Sequence, residues 1–103
     1  MRKLFLIAFG FLVPAVASAQ EWRPTVDKWK ACADAAATRY AKSTESAPVA
    51  ARLAALACGD QKKEALQAVT KTDGASFADQ YIDSAERYYI DVMSVRIIET
   101  RLR

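Results

Sequence analysis

The stretch VDKWKACADAAATRYAKSTESAPVAARLAALAC, residues 26–58, decides the fold. In its first half Val26, Trp29, Ala33, Ala36 and Tyr40 recur at intervals of three and four, the period of one helix face. Pro24 and Thr25 ahead of it suit a helix start, with Thr25 as the expected cap, so the spacing predicts a helix over about 25–42. Lys42-Ser43-Thr44-Glu45-Ser46 is a polar break. An alanine-rich stretch follows, in which Val49, Leu53, Leu56 and Ala57 are expected to share the inward face, with Ser46 as cap and Pro48 tolerated in the first turn.

A short turn between two helices makes them antiparallel neighbours. The midpoint of positions 32 and 58 is position 45, inside the polar break, so Cys32 and Cys58 should lie level with one another. Their pairing is the expectation. In the chain-entropy account, closing a loop of this size stabilises by about 3 to 4 kcal/mol. The many alanines favour the pairing, because small side chains let helix axes approach and a disulfide needs Cα atoms within about 7 Å.

Working outward, Gly59 interrupts the pattern but Ala65, Leu66 and Val69 resume it, and the second helix is expected to continue through Gly59 over about 47–70. Lys71-Thr72-Asp73-Gly74 is the next break, with Asp-Gly as its turn signal. Ser76 and Asp79 resemble a capping box. From Phe77 onward Tyr81, Ala85, Tyr88, Val92 and Val95 repeat at helical spacing, widened by Ile82, Tyr89 and Met93, which predicts a third helix over about 76–101. The fold class is therefore all-α, a three-helix bundle with a disulfide-stapled antiparallel hairpin.

The other end of the chain addresses its destination. Arg2 and Lys3, the apolar run Leu4 to Val13, Pro14 and the small residues Ala17-Ser18-Ala19 have the form of a signal peptide over residues 1–19, cut between Ala19 and Gln20. The run is too short to span a membrane, for which about 20 apolar residues are needed. Residues 20–103 then form a single helical domain, periplasmic or secreted, in a compartment that lets cysteines pair. The precursor's net charge of +3 includes Arg2 and Lys3; without them 13 basic face 12 acidic residues. A near-balanced exported chain is not expected to bind nucleic acid.

Chemistry is sparsely represented. The chain has no histidine and no glycine-rich phosphate loop, and its two cysteines stand too far apart for a Cys-x-x-Cys pair. No catalytic residue, metal site or cofactor is expected, and the protein is not expected to be an enzyme. Asp79, Asp83 and Glu86 share a face of the third helix, but Asp83 can pair with Arg87. Tyr81, Tyr88, Tyr89 and Met93 are candidate interface residues, since Tyr88 and Tyr89, being adjacent, cannot both point inward equally. Arg96, Arg101 and Arg103 complement the negative end of the helix dipole and are candidates for contact with an anionic surface.

The pattern Trp29-x-x-Cys32, Glu45-Ser46-Ala47-Pro48-Val49-Ala50 and Leu56-Ala57-Cys58 behind a signal peptide resembles a group of short exported helical proteins of proteobacteria whose function is unknown. The resemblance covers the hairpin from Trp29 to Cys58; it implies a periplasmic address and a disulfide and carries no site residues. In outline only, the chain is also similar to acid-stress periplasmic chaperones. The expected function is non-catalytic protein–protein contact, with an envelope protein or with a second copy through the third helix, the alternative being a stress holdase that exposes apolar surface in acid.

Overall fold

In the computed structural model, which describes residues 21–103, four helices follow one another: α1 (Arg23–Tyr40), α2 (Ala47–Ala57), α3 (Gly59–Asp73) and α4 (Ala75–Leu102). The fold is all-helical among the described residues. The signal peptide and its cleavage point lie outside them.

The expected second helix is two helices. Cys58, at φ −101° and ψ 23°, leaves helical geometry: its N–H donates to the Ala55 carbonyl three residues back, and its own carbonyl accepts from the Lys62 N–H to start α3. Gly59 is not the cause on packing grounds, because a Cβ there would meet nothing within 4 Å. The break sits on the bridged cysteine itself. Together α2 and α3 form one leg antiparallel to α1 and α4, so the three-legged arrangement read from the periodicity survives with its middle leg broken.

Contacts at the two ends fix this direction. At one end Trp22, just before α1, donates its indole N–H to the Asp73 carboxylate at 2.8 Å, at the close of α3. At the other, Arg101 donates to the carbonyls of Ala41 and Ser43 at 3.0 and 2.8 Å. The last turn of α4 thereby supplies donors to the end of α1 and the turn after it, where helical carbonyls lack partners. With 28 residues, α4 runs about 42 Å and spans both halves of the middle leg.

Helix boundaries differ from expectation where capping was inferred. α1 begins before Thr25, with Trp22 in the cap position and no side-chain cap. The Ser76–Asp79 capping box does not form; Gly74, at φ +89°, is the only residue between α3 and α4 and caps both. That left-handed φ is the conformation in which glycine carries no steric penalty. Ser46 does cap α2, its hydroxyl accepting from the Val49 N–H at 3.4 Å.

The expected disulfide is present. Cys32 and Cys58 are joined with their Cα atoms 5.9 Å apart, and no free cysteine remains. The core of α1 is also as expected, with Val26, Trp29, Ala33 and Ala36 buried, although Ala37 rather than Tyr40 completes the face. The core of α2 is not. Its buried residues are Ala47, Ala50, Ala51, Ala54 and Ala55, whereas Val49, Leu53 and Leu56 are exposed, Leu56 by 77%. The helix is turned so that its smallest side chains meet α1 and α4. On α3 the buried positions are Ala65 and Val69; on α4 they are Ala78, Ile82, Met93 and Ile97.

Candidate binding surfaces

Two surfaces follow from this packing. One is the outward side of α4. Helical rotation of 100° per residue places Tyr88, Val95, Ile98 and Leu102 away from the buried Ile82, Met93 and Ile97. They are 64%, 57%, 49% and 81% exposed, so a four-turn stretch of α4 carries large apolar groups into solvent. The outward Val49, Leu53 and Leu56 of α2 add a second stripe. No helix among the described residues is long and apolar enough to cross a membrane.

The other surface is a trough between α1 and α4. A depression of about 420 Å³ is walled by Tyr81, Tyr88 and Tyr89, with Asp27, Lys30 and Ser84 beside them. A second, of about 130 Å³, shares Lys30, Tyr88 and Tyr89 and continues past Met93 to Asp34 and Arg96. Shared residues make the two one elongated trough. From Arg23 to Asp34 it follows α1 for about 17 Å.

The tyrosine walls are held from behind. Tyr89 meets the buried Trp29 edge-on with ring centroids 4.8 Å apart, and Tyr81 lies 5.1 Å from Trp22 and stacks on Phe77 at 5.8 Å. Burial, reinforced by Tyr81 and by the negative charges of Asp27 and Asp34, raises the Tyr89 phenol above its ordinary value of 10.0. Tyr88 projects outward with its ring 6.3 Å from that of Tyr89. The adjacent tyrosines thus divide their roles, one packed and one exposed, as their adjacency required.

The remaining sequence-predicted residues fall in several places. Met93 is 2% exposed and belongs to the core, which corrects its assignment to an interface: it shares the buried face of α4 with Ile82 and Ile97 rather than the outward stripe. Arg96 pairs with Asp34 at 3.2 Å, and Arg101 is committed to the Ala41 and Ser43 carbonyls. Of the three C-terminal arginines only Arg103 makes no such tie among the described residues, so the cluster is chiefly an interhelix fastening. Asp83 pairs with Arg87 at 2.8 Å and Glu86 with Lys62 of α3 at 2.9 Å, which occupies two of the three carboxylates on that face. Among the described residues no group of three His, Cys, Asp or Glu is placed to hold a metal ion. The sequence reading missed Asp27, Lys30 and Ser84; the signal available was that Asp27 and Lys30 flank the Val26–Trp29 core face.

Comparison of the chain with protein-family models, with curated proteins and with solved structures finds no match.

Proposed function

We propose that this is an exported, non-catalytic helical module that acts by protein–protein contact, with a second copy of the chain as its partner through α4. The observation that carries the reading is the exposure of Tyr88, Val95, Ile98 and Leu102 along one side of a single rigid helix. Large apolar groups aligned over several turns are the pattern by which a helix docks against another surface. The signal-like residues 1–19 and the Cys32–Cys58 disulfide support an oxidising compartment outside the cytoplasm.

Sedimentation of the oxidised protein over a range of concentrations tests this. The expected result is a monomer–dimer equilibrium that Ile98→Glu shifts to monomer without loss of helix content; a monomer at every concentration overturns self-association. A second reading, an acid-responsive holdase, rests on the two ion pairs that tie α4 to its neighbours, Lys62–Glu86 and Arg96–Asp34. The absence of client protection at every step of an acid series would dismiss that reading.

A further inference from the structure

The trough between α1 and α4 is independent of the outward stripe's partner, apart from sharing Tyr88. Its polar groups are unspent. Neither Asp27 nor Lys30 makes an ion pair or hydrogen bond among the described residues, and the phenol hydroxyls of Tyr81, Tyr88 and Tyr89 have no hydrogen-bond partner there. Ser84 adds a hydroxyl that can donate and accept. Three aromatic side chains, two of them braced by Trp22, Phe77 and Trp29, surround these groups.

This composition discriminates among ligand classes. A purely apolar ligand would cover Asp27 and Lys30 without partners, which is costly. A simple cation would be opposed by Arg23 and Lys30, and a simple anion by Asp27. An extended peptide needs partners for its own backbone N–H and C=O groups, and the trough is walled by helices whose backbone groups are already bonded to one another. An oligosaccharide has the matching chemistry: ring faces of C–H groups to lie on aromatic side chains, and hydroxyls that both donate to a carboxylate or phenol oxygen and accept from an ammonium. Its chain form also suits a trough some 17 Å long.

We infer that the α1–α4 trough is a glycan-binding site, in which sugar rings rest on Tyr88 and Tyr89 and their hydroxyls bond to Asp27, Lys30 and Ser84. The bracing of Tyr81 and Tyr89 presents those two walls already formed, which lowers the ordering cost of binding.

The test is an NMR titration of the oxidised protein with two neutral glycans, chitotetraose and maltotetraose, beside choline, acetate and an extended alanine-based peptide. The expected result is saturable shifts from at least one glycan, centred on Lys30, Ser84, Tyr88 and Tyr89, at a Kd of about 1 mM or tighter. Tyr88→Ala should weaken that binding at least about tenfold with an unchanged melting temperature, since the side chain is 64% exposed. Leu56→Ala, on the outward stripe of α2, should leave it unaltered. The inference is overturned if neither glycan saturates the trough, if the shifts centre elsewhere, if Tyr88→Ala binds as well as the parent, or if only the peptide or one of the small ions saturates these residues.

Discussion

Every buried side chain of α2 is an alanine, whereas α4 buries Ala78, Ile82, Met93 and Ile97. The larger residues of α2, Val49, Leu53 and Leu56, face outward. Both helices pack against α1, but they do so by different means. Alanine removes little apolar area from water and loses almost no side-chain entropy on burial, so an alanine seam contributes little per residue in either direction. Close approach is what it provides; Ser46 caps the start of α2, and the Cys58 bridge pins its close to Cys32 of α1. The other region relies on bulk. Trp29 of α1, 2% exposed, packs edge-on against Tyr89 of α4 and is among the largest fully buried side chains.

The strongest way to break this contrast is to remove the bulk. Trp29→Ala is expected to destabilise by about 3 to 5 kcal/mol, the range for truncating a buried large aromatic, and to free the Tyr89 ring. Denaturant unfolding followed by circular dichroism measures it. A loss below about 1 kcal/mol would mean that the α1–α4 region, like the α1–α2 seam, is held by pins rather than by packed volume.

Next in size is a test of the seam. Ala54 is wholly buried and Leu56, two positions on, is 77% exposed. Ala54→Leu inserts volume where two helices already touch and is expected to cost about 1 to 3 kcal/mol. Leu56→Ala removes a larger side chain yet should change stability by no more than about 0.5 kcal/mol. If the two effects were reversed, the face of α2 seen here would be the wrong one.

That face is also where the sequence was read least well, and the reason is instructive. Choosing Val49, Leu53 and Leu56 as the core followed side-chain size. The disulfide, correctly expected from the same residues, already contradicted it: Cys58 lies three, four and seven residues after Ala55, Ala54 and Ala51, so a bridge to Cys32 turns the alanine face toward α1. Leu56, two residues before Cys58, is carried to the far side. On α4 the periodicity was legible but its centre was displaced, since the expected stripe ran through Tyr88 and Val95, both exposed, and left out Ile97, which is buried. The Arg96–Asp34 pair and the Arg101 contacts were not readable at all, because they depend on how far α4 slides along α1. The break at Cys58 was hidden for a related reason: the geometry changes at the cysteine, while the composition signals only the neighbouring glycine. The trough, likewise, is assembled from two helices far apart in sequence, and only its tyrosines stood out in advance.

The smallest effect separates the braced tyrosine from the exposed one and depends on pH. The Tyr89 phenol is held above 10.0 chiefly by burial, then by Tyr81 and the carboxylates of Asp27 and Asp34. With a raised folded-state value, its contribution is fully present below the unfolded value of about 10 and is lost as pH rises through the folded value, because the unfolded chain gives up this proton first. Stability should therefore fall on the alkaline side, beginning near the ordinary tyrosine range. Tyr89→Phe keeps the ring against Trp29, removes a hydroxyl that has no hydrogen-bond partner among the described residues, and should leave stability at neutral pH nearly unchanged while flattening that alkaline slope. Tyr88→Phe removes the weakest of the charges that raise the Tyr89 phenol and should flatten the slope far less. Unfolding midpoints from pH 7 to 11 for the three proteins give the comparison, and equal slopes in all three would show that the packing of Tyr89 does not set its ionisation.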